Sequence, residues 1–468
     1  YAQLFEANGR AVGPEWRVNS QTVSTQEQPR VAGLSDGGFV IVWQDNNGTD
    51  GAGWAAMAQR YNAQGVAQGA NVVVNTTTTS SQYHPVVAAY NGGFAVAWAS
   101  DASGTDVFLK TYTNAGAVVL AETRVSSVPG QPGTAQAGTQ YLPGIAADAA
   151  GNLVVVWHDN SSNDGSGYGV YGRTFSAAGV AGNTFLVNST TAGSQSYPAE
   201  GYRPVVAMLN GGGFVVVWPS DSNDASGWAV MGQRFDAAGA KVGGEFLVNN
   251  STSSNQYNPA VIGQSTGGFT VAWYSDGSNT GTSADVYIRE YDAAGVAIGA
   301  ERKLGSASNS TENEPAIADL GQGNFVVVYS DYATAASGGN NTYEIVQQLF
   351  GSGAALQRSG TPVLGDFAGT VSFGENLVNA TPQVIDAAVS LTHTGSPNFD
   401  GGRLDLFYVL GGEATDQLGV RHQGNGFGQI GVAGATVSFG GLAIGSIAGG
   451  NNGANLVISF NANATVDA

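Results

Sequence analysis

Cysteine is absent from the 468 residues, so no disulfide stabilises this fold. A secreted protein without disulfides relies instead on metal ions or on many repeated contacts. Charge is sparse as well: Asp, Glu, Lys and Arg make up only 11% of the chain. Basic residues are the scarcer kind, 16 Lys and Arg against 35 Asp and Glu, which leaves a net charge of −19. A surface of that sign repels phosphate backbones and argues against a nucleic-acid partner, while divalent cations suit it better. No apolar run approaches the roughly 18 residues of a membrane span. The opening Tyr1-Ala2-Gln3-Leu4-Phe5 lacks the basic and apolar regions of a signal peptide.

What is abundant is glycine, 70 residues of it, with no three-residue period, which points to many tight turns. The turns belong to a repeat that runs through residues 21–350. A proline opens a short apolar strand, as in Pro29-Arg30-Val31-Ala32 and Pro204-Val205-Val206-Ala207. A glycine turn follows, then an apolar strand that closes on Trp43, Trp98, Trp157, Trp218, Trp273 or Tyr329. These closing aromatics lie 55, 59, 61, 55 and 56 residues apart. A loop rich in Asp, Asn, Gly and Ser leads to a third strand ending in Tyr61, Tyr112, Phe175, Phe235, Tyr291 or Phe350, and a fourth strand often ends in Val-Asn. Four short strands in about 55 residues, with a second strand apolar on both faces, predict a β-propeller blade.

Six full units and a half-unit are present, since residues 1–20 match only the third and fourth strands. Seven blades fit this count best; six, with the N-terminus supplying the last outer strand, is the alternative. The domains expected are therefore a β-propeller over 1–360 and an all-β region over 361–468. The latter reads as an immunoglobulin- or cadherin-type β-sandwich, from strands such as Leu456-Val457-Ile458-Ser459-Phe460 and the absence of helical periodicity. Both ends read as cut within a unit.

The string Val230-Met231-Gly232-Gln233-Arg234-Phe235-Asp236-Ala237-Ala238-Gly239, then Gly244-Glu245-Phe246-Leu247-Val248-Asn249, resembles a repeat of giant bacterial RTX-type calcium-binding surface proteins and adhesins. So does Gly212-Gly213-Phe214-Val215-Val216-Val217-Trp218. Ser396-Pro397-Asn398-Phe399-Asp400-Gly401-Gly402-Arg403-Leu404 and Gly424-Asn425-Gly426-Phe427-Gly428-Gln429-Ile430-Gly431 resemble the cadherin-like modules of such proteins. The resemblance implies a secreted or cell-surface location, calcium as the stabilising ion and further modules of one long chain as neighbours. The nonapeptide calcium repeats of RTX proteins are absent.

Alternating strand direction places all the long polar loops on one face and the glycine hairpins on the other, so a binding surface is sought on the loop face. Two constellations lie there. Asp159, Asp164, Asp221 and Asp224 suit an oxygen-ligand calcium site; as plain structure, the same residues form Asx turns. Asp386, Asp400 and Asp405 are the equivalent candidates in the C-terminal region, supported by the resemblance. The second constellation is aromatic. Trp54, Tyr168 and Trp228 share one repeat position, and Tyr83, Tyr141, Tyr202 and Tyr257 each stand two residues before a first-strand proline. Rings beside carboxylates and amides are what a glycan-binding site uses; their plain structural role is to cap the blade ends.

Catalytic signals are thin. Gly33-Leu34-Ser35-Asp36-Gly37 matches the nucleophile-elbow pattern but lies in a strand-to-strand hairpin. His84, His158, His393 and His422 show no zinc-ligand spacing. The sequence therefore predicts a non-enzymatic, calcium-stabilised adhesive or ligand-binding module for a glycan or cell-surface partner. A structural spacer or surface-layer component is the first alternative, and a carbohydrate-active propeller enzyme with paired carboxylates the second.

Overall fold

A computed structural model describes residues 1–5, 11–102, 104–128, 137–161, 164–196, 202–221, 223, 227–252, 254–276, 284–304, 310–321, 323–333, 342–350, 363–365, 390–392, 403–406, 417–424, 426, 429–452, 454–461 and 463–464. The chain divides into two compact units, Tyr1–Leu349 and Phe350–Ala468.

The first unit is a succession of antiparallel sheets, each formed by strands consecutive in the chain. Blade one comprises Gln26–Gly33, Phe39–Asp45, Ala55–Tyr61 and the very short Val72–Val73. Blade two comprises Gln82–Tyr90, Gly93–Ser100, Asp106–Thr113 and Val118–Arg124. Blade three comprises Gln140–Ala147, Leu153–Asp159, Gly169–Phe175 and Ala181–Leu186. Blade four comprises Val205–Met208, Phe214–Ser220, Ala229–Phe235 and Lys241–Leu247. Blade five comprises Gln256–Gly263, Phe269–Ser275, Asp285–Tyr291 and Ala297–Lys303. A sixth sheet has three described strands, Ser310–Gly321, Asn324–Ala333 and Thr342–Phe350. First strands of successive sheets pack against one another, so they are the innermost layer of a β-propeller.

The sequence dictates this layering. Second strands carry unbroken apolar runs such as Phe214-Val215-Val216-Val217-Trp218 and are buried throughout, because a sheet lies on each of their faces. Their core splits accordingly: Val154 and Val156 of blade three pack with Val216 and Trp218 of blade four, while Val155 and Trp157 join Ala95, Ala97 and Leu109 of blade two. The closing tryptophans take one register, opposite Met57, Phe108, Tyr171, Met231 and Tyr287 of their third strands. Each is at most 4% exposed. Fourth strands are edges and leave Val118, Val119, Val242 and Ile298 exposed.

Ala2–Phe5 and Ala11–Trp16 form a separate two-stranded sheet. Trp16 packs on Phe39 and Tyr61 of blade one, at ring separations of 6.3 and 5.8 Å. Phe185 of blade three packs on Phe214 and Phe235 of blade four in the same way, and Phe246 of blade four on Phe269 and Tyr291 of blade five. Trp16 thus stands to blade one as Phe185 stands to blade four and Phe246 to blade five. Gly65, with φ +76°, confirms the contact: a Cβ there would stand 3.1 Å from Leu4 and 3.3 Å from Trp16.

In the second unit, five antiparallel strands lie in the order Arg403–Leu406, Leu456–Phe460, Leu442–Gly449, Thr436–Phe439, Ile430–Ala433. Val437, Ile444, Ile458 and Ala464 form their core. A two-stranded sheet pairs Val363–Gly365 with Ser390–Thr392. The all-β expectation holds for the described residues of both units; those of the second do not by themselves make up the two facing sheets of a sandwich.

Candidate functional site

The loop end of each blade is clipped shut by polar side chains at repeated positions. The Asn that ends a fourth strand accepts the second backbone N–H of its third strand: Asn75 from Ala56, Asn188 from Val170 and Asn249 from Val230, at 2.8–3.0 Å. A residue following each second strand accepts an N–H from the link that precedes its first strand: Asp101 from Ser81, Asn160 from Thr139, Asp221 from Ser194 and Asp276 from Asn255, at 2.5–2.7 Å. Buried glutamines Gln82, Gln140 and Gln256 open their first strands.

Those glutamines begin a tetrapeptide that the proline spacing only half reveals: Gln82-Tyr83-His84-Pro85, Gln140-Tyr141-Leu142-Pro143 and Gln256-Tyr257-Asn258-Pro259. At each, the pairing of first to second strand slips, between Tyr83 and Val86, Tyr141 and Gly144, and Tyr257 and Ala260. A β-bulge re-aims the side chains around it. Here it presents the tyrosine at the loop end of the innermost strand, in blades two, three and five.

These rings converge with others. Tyr83 stacks on Tyr141 of the next blade, with centroids 5.9 Å apart, and His84 meets Tyr141 edge-on at 5.1 Å. Tyr141 lies opposite His158 across its own blade, and His158 stacks on Tyr168 at 4.8 Å. In blades four and five, Tyr202 contacts Trp228 at 4.5 Å and stacks on Tyr257 at 5.3 Å; Tyr257 meets Tyr274 at 4.8 Å. Six of the seven aromatic candidates thus fall into two clusters on successive blades. Trp54 makes no ring–ring contact among the described residues; its N–H donates to Ser81 Oγ and its carbonyl accepts from the Gln82 N–H.

Burial sets the electrostatics. His158 is fully buried, and neither ring nitrogen has a hydrogen-bond partner among the described residues. Desolvation, reinforced by His84, pushes its imidazole down to about 3, so it is neutral. Sequence spacing set these two histidines apart; the fold brings them together through Tyr141. Burial, then the neighbouring Tyr83 and Asp101, raises the Tyr141 phenol to about 12. The Tyr83 hydroxyl donates to Asp101 Oδ2 at 3.4 Å. Glu27 Oε1 accepts from Gln44 Nε2, and Gln44 Oε1 in turn accepts the His84 N–H, both at 2.8 Å. Exposed Glu27 and half-buried Asp101 therefore flank the Tyr83-His84 bulge on two sides.

The acidic candidates serve the clips. Asp159 accepts from Gln140 Nε2 at 2.8 Å and from the Ser161 N–H at 2.8 Å, and burial raises its carboxyl despite these bonds. Asp164 accepts from Asn188 Nδ2 at 3.1 Å. Asp221 holds the Ser194 N–H. No three acidic or imidazole side chains gather among the described residues. Asp224, Asp386 and Asp400 lie outside the described residues, as does the side chain of Asp405. Ser35 of the nucleophile-like motif accepts from the Gly92 N–H and Asn114 Nδ2 of the next blade, a structural bridge between hairpins.

No protein-family model matches the chain, and no curated protein sequence does. Among solved structures it is similar to the GH93 α-L-arabinofuranosidase of Fusarium graminearum (14% identity, 68% of this chain and 92% of that one, TM-score 0.44). It is similar also to the α-L-arabinanase of Penicillium chrysogenum (15% identity, 70% and 94%, TM-score 0.43). A third is the NanB sialidase of Streptococcus pneumoniae (7% identity, 66% and 66%, TM-score 0.44). This corrects the expectation of a non-enzymatic adhesive module: all three carry the names of carbohydrate-active enzymes, and none is named an adhesin. At these scores no residue of theirs is carried over to this chain.

Proposed function

We propose that the loop end of the innermost strands is the active site of an enzyme that cleaves a glycosidic bond. The observation behind this reading is the arc of Tyr83, Tyr141, Tyr202 and Tyr257, at one repeat position on four successive blades, bordered by the carboxylates of Glu27 and Asp101. Aromatic faces hold the apolar faces of sugar rings. Glycoside hydrolysis needs two carboxyl groups, one to protonate the leaving oxygen and one to activate water or to attack the sugar carbon. Glu27 and Asp101 are the pair assigned to these tasks: Asp101 accepts from the Tyr83 hydroxyl, and Glu27 accepts from Gln44, which holds the His84 N–H.

The test is release of reducing ends from a panel of arabino-, xylo-, galacto- and sialo-oligosaccharides. Glu27→Gln and Asp101→Asn are each expected to lower the rate on the order of 10²-fold or more, the usual share of a positioned acid or base. Asn at 101 keeps the acceptor for the Ser81 N–H, so folding is retained. Release from no member of the panel, or rates unmoved by either change, overturns the reading.

Two finer points of architecture belong to the same proposal. The ring has seven blade positions: the sixth sheet already has a third strand, so the N-terminal hairpin belongs to another blade. The second unit is a β-sandwich of cadherin type, for which the apolar face of its five-stranded sheet is the support.

A further inference from the structure

The residue that precedes the first-strand proline lies in the left-handed region in five blades: Gln28 (φ 57°), His84 (55°), Leu142 (49°), Asn258 (55°) and Glu314 (52°). Left-handed backbone is uncommon for any residue with a Cβ, and a following proline further restricts the residue before it. Five recurrences at one position mark a built feature, and such strained positions cluster where ligands are held. The frame is constant while the side chain is not: two amides, an imidazole, an alkyl group and a carboxylate. Leu142 is buried, whereas Gln28, His84 and Asn258 are half-buried and Glu314 is exposed. Two of these side chains adjoin: His84 Nδ1 is 2.6 Å from Gln28 Oε1, and the His84 ring is the one that meets Tyr141.

We infer that Gln28, His84, Asn258 and Glu314 are specificity-determining residues at the axial end of the propeller, and that the glycan they select is neutral and rich in hydroxyls. This rests on the carbohydrate reading above. Amides and imidazole supply both donors and acceptors to hydroxyl groups, while Glu314 and Glu27, on a chain of net charge −19, disfavour a carboxylated sugar.

Binding, measured apart from cleavage, decides this. The probes are immobilised neutral oligosaccharides (arabino-, xylo- and galacto-) and anionic ones (uronate and sialylated). The wild-type chain is expected to bind neutral members at least tenfold more tightly than anionic ones. His84→Gly and Asn258→Gly should leave the melting temperature equal or raised, because glycine takes positive φ without strain, and should weaken neutral-glycan binding at least tenfold. His84→Asn, which tolerates the same φ and keeps polar groups, should lose less. Glu314→Gln should narrow the gap between neutral and anionic probes. Preference for anionic probes, unchanged binding in both glycine variants, or no binding at all overturns the inference. Binding with no cleavage leaves it standing and overturns only the hydrolytic reading.

Discussion

Each propeller blade has two ends made from the same strands, and they differ in what they allow to vary. At the hairpin end the chemistry repeats almost without change. Asp36, Asn62, Asp236 and Asp292 each fold a side-chain oxygen back onto a backbone N–H two to four residues later. At the loop end an equally regular frame of Asn, Gln and Asp clips carries a variable set of rings and polar groups. A regular frame fixes positions while leaving side chains free to differ, which is what a surface needs in order to discriminate between ligands. The hairpins, short and alike, offer no such choice.

The sharpest break between frame and surface is expected between two tryptophans. Trp218→Ala empties a packed site between blades three and four and should cost about 3–5 kcal/mol, read from chemical denaturation. Trp228→Ala, ten residues on, removes a half-buried ring and should leave stability within about 1 kcal/mol while weakening glycan binding. Equal losses of stability would erase the distinction.

Acid distinguishes the two aromatic clusters next. His158 has its folded pKa depressed to about 3, below the ordinary 6.5. Its neutral burial therefore contributes stability that is fully present above pH 6.5 and is lost as pH falls toward 3. By pH 4 the loss is about 3 kcal/mol relative to pH 7. Buried Asp45 and Asp159, with raised carboxyl pKa values, act in the opposite sense. The histidine is isolated as the difference between wild type and His158→Leu, which should shrink steadily below pH 6.5. A difference independent of pH would contradict the neutral assignment.

The clips come next in size. Asn249→Ala leaves the buried Val230 N–H without its acceptor and should cost about 1–3 kcal/mol. Asp236→Ala at the opposite end loses a solvent-exposed turn bond worth about 0.5–1 kcal/mol. Replacing Tyr168 and Trp228 together should reduce binding, whereas altering Asp36 and Asp236 should not. Reduced binding only in the second pair would place the ligand on the hairpin face.

Much of the fold was legible because its cause is local and repeated. The interval between Trp43, Trp98, Trp157, Trp218 and Trp273 reports one blade each, and a doubly buried strand must be apolar at every position. The half-unit at the N-terminus was visible in Trp16-Arg17-Val18-Asn19, whose Trp16 packs on Phe39 and Tyr61. The aromatic candidates were found by the same logic: Tyr83, Tyr141, Tyr202 and Tyr257 through their shared distance from a proline, and Trp54, Tyr168 and Trp228 through one shared repeat position. The carboxylates were harder to read. An Asp in a polar loop has the same signature whether it binds a cation or a backbone N–H, and Asp164 and Asp221 hold N–H donors.

The sequence by itself determined the all-β class, the four-stranded repeat, the buried tryptophans and the face on which long loops gather, since period and turn chemistry act along the chain. Only the tertiary structure decided that Tyr83 and Tyr141 stack, that His84 lies against Gln28, and that a buried, neutral His158 stands beside them. The first two contacts join residues 58 and 56 positions apart, on blades whose spacing depends on the side chains packed between them. The left-handed residue before the first-strand proline of five blades belongs to the same class. No local preference favours it, and it persists because the two strands it joins are held in register on either side.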